Sequence, residues 1–212
     1  MENPRVAPFV QHHERYENWF ERHGAAYLSE LVAVRALLPW TGRGLEIGVG
    51  SARFAAPLGV EFGIDPAAEM LEYARARGVR VACAVAEALP FANAAFDYAL
   101  VVTTICFVED AAAMVAEARR VLKPGGALVI GFIDRASALG QQYQAHREEN
   151  VFYRDAKFYS GDEVERLLAD AGFGAPVWGQ TLCGPLAEMR EIEPLRAGRG
   201  KGSFVAVKAS RD

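Results

Sequence analysis

Three cysteines in 212 residues, at positions 83, 106 and 183, form no CxxC pair and have no histidine at ligand spacing. That excludes a zinc ribbon or a disulfide framework, and Cys83, Cys106 and Cys183 read as reduced core thiols with no metal site. No stretch approaches the roughly 18 consecutive apolar residues that cross a bilayer. The opening MENPRVAPFVQHHERYENWF mixes charges where a signal peptide carries an apolar run. A cytoplasmic chain with no membrane partner is expected. Positive charge is also short: 23 Lys and Arg against 27 Asp and Glu leave −4, so no global basic field draws the chain to nucleic acid. Repeats and low-complexity linkers are absent too, which leaves one domain over 1–212.

What is present is a globular composition, 51% hydrophobic and 24% charged, arranged as short apolar runs between helical patterns. From Gln11 to Leu38 apolar residues recur at helical spacing, interrupted at Gly24 and stopped by Pro39. GLEIG, VEFGID, VRVACAV, AFDYALVVTT and GALVIGFI read as five successive strands. Helices open at Ser51, after Pro66 and at Asp110 between them. Beyond Ile133, the segments ASALGQQYQAHREEN and SGDEVERLLADAGF read as helices, and APVWGQTLC and SFVAVKA as late strands. Strands alternating with helices predict an α/β doubly wound, mostly parallel sheet.

In such a sheet ligands bind outside the carboxyl ends of the strands, where strand order reverses. LEIGVGSARF places Gly48 and Gly50 in the first turn there, where the missing Cβ lets backbone approach a ligand. A dinucleotide fingerprint would add a third glycine at position 53, which is Arg53. Glu46, a lone carboxylate in an otherwise apolar strand, needs a cation or several donors. Asp65 closes the second strand 17 positions after Gly48, where an acid can accept from both hydroxyls of a ribose, or cap the next helix. Glu87, in AEALPF after strand three, faces the same end.

E-x-G-x-G, Asp65 followed by PAAEML, AEALPFANAAFDYALVVTTICFVED and EARRVLKPGGALVIGFIDR, in that order, resemble the class I S-adenosylmethionine-dependent methyltransferases over residues 40–135. The similarity is greatest to the small-molecule branch that includes the ubiquinone and menaquinone biosynthesis type. The resemblance implies a Rossmann-like sheet of seven strands with the last antiparallel, an N-terminal helical lid over 1–39, and a substrate side over 136–212. It implies S-adenosylmethionine as cofactor, with Glu46 at the methionine ammonium and Gly48 and Gly50 along the methionine tail. Asp65 would take the ribose, Met70, Ala86, Glu87 and Leu89 the adenine, and Thr103 the neighbourhood of the sulfonium. Tyr16 and Trp19 would close over the cofactor, and Tyr143, His146 and Tyr153 occupy the usual place of substrate contacts. Where relatives carry an Asp for the adenine amino group, this chain has Val85.

Methyl transfer from a sulfonium is an in-line displacement with a good leaving group, so alignment can supply roughly 7–11 kcal/mol of the barrier and no catalytic base is assigned. A small-molecule acceptor is expected. Strand four ends in VVTTICF rather than the Asn/Asp-Pro-Pro-aromatic motif of enzymes that methylate nucleic acid bases. Two rival readings stay open: an NAD-dependent oxidoreductase, and a non-catalytic subunit that holds S-adenosylmethionine.

Overall fold

Eight strands form one sheet in the computed structural model, which describes residues 3–212: β1 (Gly44–Ile47), β2 (Phe62–Asp65), β3 (Arg80–Cys83), β4 (Phe96–Val102), β5 (Leu122–Ile133), β6 (Val177–Thr181), β7 (Arg196–Ala197) and β8 (Phe204–Ser210). Their order is β3-β2-β1-β4-β5-β8-β6-β7. The first five run parallel, and β8 inserts antiparallel between β5 and β6. The sequence led to seven strands; the eighth is β7, a two-residue pairing at the edge that carries too little apolar pattern to be read.

Both faces of the sheet are covered. Along β4 the residues alternate, Ala99 and Val101 facing one core with Met114 and Val164, and Tyr98, Leu100 and Val102 facing the other with Ala33, Val34 and Leu71. The helices over these cores are α1 (Ala7–Gln11), α2 (His13–Arg22), α3 (Gly24–Leu37), α4 (Ala55–Leu58), α5 (Ala68–Ala76), α6 (Ala111–Val121), α7 (Ala138–Ala145) and α8 (Gly161–Asp170). The Gln11–Leu38 pattern resolves into two helices, α2 and α3, broken at His23, and the short α1 lies ahead of it. The helix expected from Ser51 shrinks to the four residues of α4, because Ala52 takes a positive φ of 62° that no right-handed helix contains. Asp110 caps α6 by accepting from the amides of Ala112 and Ala113. The helix stops at Val121 because Lys123 precedes Pro124, and the chain turns extended there.

Of the three thiols, only Cys106 is buried. Cys83 and Cys183 lie exposed near strand ends, so the expectation of three core thiols is corrected for those two.

Candidate functional site

Strand order reverses between β1 and β4, and at that point the carboxyl ends of β1, β2 and β4 open into a cavity of about 530 Å³. The turn after β1 is tied to β2, since the amides of Gly48 and Val49 both donate to the Ile64 carbonyl at 2.8 Å. Gly48 has a φ of 74°, and a Cβ on it would lie 2.2 Å from Thr104 Cγ2, so conformation and space both demand glycine. Gly50, at φ 49°, lies under Tyr16, whose hydroxyl would sit 3.4 Å from an added Cβ.

Asp65 ends β2 at the cavity wall. Its Oδ2 accepts from the Gly50 amide and its Oδ1 from the Ala67 amide, each at 2.9 Å, so one carboxylate braces the glycine turn and the start of α5. Burial pushes its pKa up to about 6, against the pull of those two amides. Glu46 is only 2% exposed, and its Oε2 has no hydrogen-bond partner among the described residues. Burial drives this carboxyl well above the usual range, the Ala55 amide opposes that, and the neighbouring Asp65 charge adds to it.

Met70, Val85, Ala86 and Glu87 line another wall. Val85 is 44% exposed and apolar, a surface suited to a flat ring. Glu87 is occupied locally, its Oε1 accepting from the amides of Glu109 at 2.8 Å and Asp110 at 3.2 Å. Thr103 follows β4 with a φ of 49°, an uncommon conformation for a β-branched residue, held by its N–H donating a hydrogen bond to the Gly131 carbonyl at 2.7 Å.

The N-terminal segment supplies the last wall through Asn3, Arg5, Val6, Phe9 and Tyr16. A clasp holds α2 there. Glu17 accepts from Arg53 Nη2 at 2.7 Å and from Arg77, and Arg53 also reaches Glu21 at 3.1 Å. The position at which a dinucleotide fingerprint needs its third glycine is thus used to fasten a helix. These opposite charges hold Glu17 below the usual carboxylate range even though burial opposes them.

Eight of the residues read from the sequence line this one cavity: Tyr16, Gly48, Gly50, Asp65, Met70, Ala86, Glu87 and Thr103. Glu46 is buried two residues upstream of the turn. Trp19 lies off the cavity and stacks on His23 with ring centroids 5.0 Å apart. Leu89 is core, its amide held by Glu117 at 2.7 Å. Tyr153 borders a separate void of about 20 Å³ beside Thr103, with Tyr143 packed 4.7 Å from it. His146 is exposed at the end of α7, its ring bonded to the Gln142 carbonyl. The sequence reading missed Arg5, Phe9, Phe107 and Glu109 in the wall. Phe9 was legible in principle, since Phe9, Tyr16 and Phe20 share helical spacing and touch edge to face.

A methyltransferase-domain family model matches residues 45–130, which span the glycine turn through β5. An S-adenosylmethionine-dependent methyltransferase from Thermotoga maritima, described as a possible histamine N-methyltransferase, has a crystal structure that superposes with a TM-score of 0.96. Its sequence is 46% identical over 98% of this chain and 100% of that one. An uncharacterized protein of Methanocaldococcus jannaschii is 40% identical over 96% of this chain and 98% of its own length. A ubiquinone biosynthesis O-methyltransferase of Chelativorans is a more distant relative, 29% identical over 69% of this chain. The chain belongs to the class I S-adenosylmethionine-dependent methyltransferase family, whose cofactor is S-adenosylmethionine.

Proposed function

We propose that this protein transfers the methyl group of S-adenosylmethionine to a small-molecule acceptor. The observation that carries the reading is the buried Glu46, with a carboxylate oxygen that no described residue satisfies, next to a glycine turn and an acid ending β2. A buried carboxylate with one oxygen unsatisfied is costly, and a cationic ammonium over the turn offsets that cost. The residues therefore fit the family's cofactor. Glu46 holds the methionine ammonium, the backbone of Gly48 and Gly50 lines the tail, and Asp65 accepts from the ribose hydroxyls. Met70, Val85, Ala86 and Glu87 surround the adenine.

When bound, the cofactor would supply an activated methyl group on a sulfonium, a good leaving group for in-line displacement by the acceptor. The protein's own part is alignment and exclusion of water. Thr103, fixed in a strained conformation at the end of β4, sets the floor where cofactor and acceptor meet. Phe9 and Tyr16, clamped through Glu17, Arg53 and Arg77, make α1 and α2 a lid. Clasping by Arg53 in place of a third glycine weighs against a dinucleotide. The net charge of −4 weighs against a nucleic acid acceptor.

The test is incubation with methyl-labelled S-adenosylmethionine and, separately, a small-molecule extract, bulk RNA and bulk protein. Label in the low-mass fraction with matching S-adenosylhomocysteine supports the reading. Label on RNA or protein overturns the acceptor class. Cofactor binding with no transfer in any fraction leaves a non-catalytic subunit.

A further inference from the structure

Helix α3 is apolar nearly all round, a pattern that belongs inside a protein rather than on its surface. Its two charged residues do not change that. Glu30 points into the core, 4% exposed and with no hydrogen bond or ion pair among the described residues, and Arg35 stacks on the Trp40 ring at 4.1 Å. One side of α3 packs on β5, β8 and β6. The other presents Leu28 and Val32, one turn apart, to solvent.

Among the described residues six large apolar side chains are exposed, and of these only Val85 lines the cavity. The other five gather on one face. Trp40 joins Leu28 and Val32 through its stack with Arg35. The chain returning after β6 runs beside α3, where the Glu193 amide donates to Ser29 Oγ at 2.8 Å and so sets Ile192 at the level of Leu28. Val177 opens β6 opposite Lys208 of β8, two residues beyond Ala206, which shares a core with Ala33 and Val34. Val177 and Lys208 therefore emerge on the α3 side of the sheet. A Cβ on Gly131 would sit 3.3 Å from Val34 Cγ2, and Lys208 pairs with Val129, two residues earlier in β5, so this pair lies level with the end of α3.

Charge is divided along the face. The end of α3 carries Arg35 and Lys208. The end beside Ser29 carries the segment from Glu188 to Glu193, three acids against Arg190, which is turned back onto the carbonyls of Ala187 and Met189. Arg35, Lys208 and Glu191 have no ion pair among the described residues. An apolar band with one basic and one acidic end is complementary to itself after a half turn. Two copies of α3 laid antiparallel across Val32 set each basic end against an acidic one.

We infer that this face is the interface of a homodimer, closed by a two-fold axis near Val32. Trp40, 86% exposed in the single chain, then packs over Leu28 and Ile192 of the other copy, and Arg35 meets its Glu191. None of these residues lines the cofactor cavity, so the dimer stands apart from the methyltransferase reading.

The test is sedimentation velocity of the full chain from about 1 to about 100 μM. The parent is expected to associate to a dimer in that range. Val32→Glu brings two like charges together at the axis and is expected to weaken association tenfold or more. Circular dichroism and S-adenosylhomocysteine binding, unchanged in this variant, show that it folds. Arg35→Glu and Glu191→Arg are each expected to weaken association roughly tenfold, because symmetry repeats the altered contact. An equal mixture of these two variants is expected to recover the dimer, since every reversed charge then meets its opposite. A parent that stays monomeric at about 100 μM overturns the inference and leaves the face to a different protein. A dimer that survives Val32→Glu, or a mixture that associates no better than its two components, also overturns it.

Discussion

Replacing Glu30 by glutamine gives a protein whose gain in stability depends on pH in a defined direction. In the folded chain burial alone raises this carboxyl from 4.5 to about 8, with no partner to offset it. Below pH 4.5 the group is protonated folded and unfolded, so it costs nothing. Between 4.5 and about 8 the unfolded chain gives up the proton and the folded chain keeps it, so stability falls as pH rises across that window. At about 1.4 kcal/mol per pH unit, Glu30 withdraws on the order of 4 kcal/mol between pH 5 and pH 8. Glutamine has nearly the same shape and does not titrate. Urea unfolding of parent and Glu30→Gln at pH 5, 6.5 and 8 is therefore expected to show a difference that widens with pH in favour of the variant. Taking the difference cancels Glu46 and Asp65, whose raised pKa values act in the same direction in both proteins. A difference that stays constant from pH 5 to pH 8 refutes the claim that Glu30 is buried without a partner.

Two other perturbations follow from the site. Gly48→Ala forces a Cβ into Thr104 at a φ of 74°, and the expected loss is roughly 2–3 kcal/mol in chemical denaturation together with weakened S-adenosylhomocysteine binding. Glu17→Gln removes the acid that Arg53 and Arg77 share, at a half-buried position, and the expected loss is about 1–3 kcal/mol at pH 7. Because Glu17 titrates below its usual range, that loss is full above pH 4.5 and fades as pH falls through the lowered value, which thermal unfolding at pH 7 and pH 3.5 measures.

The parts legible in the sequence were those governed by local chemistry. Strands β1 to β6 and β8 announce themselves by short apolar runs between turn residues. Gly48, Gly50 and Asp65 do so by their place at strand ends, and Asp110 by its position before an apolar-periodic run. What stayed hidden depends on contacts distant in sequence. Arg53 is visible as a missing glycine, but its bond to Glu17 joins residues 36 apart, and only the fold reveals it as a clasp. Glu30 sits in an apolar helical pattern as one acid among several, and nothing local says that it points inward. Trp19 and Tyr16 lie on one helix three residues apart, yet Tyr16 covers the glycine turn and Trp19 packs on His23. Periodicity assigns a face, and tertiary packing decides what that face meets. The two-residue β7 pairs only because the chain after β6 returns along its edge.

The most direct test of the central claim is calorimetric titration of the protein with S-adenosylhomocysteine and with NADH, repeated on Asp65→Ala. The account predicts that S-adenosylhomocysteine binds, that NADH does not, and that Asp65→Ala weakens binding by about tenfold or more as ribose contacts and the brace on Gly50 are lost. Binding of NADH in its place, or failure of S-adenosylhomocysteine to bind the parent protein, contradicts it.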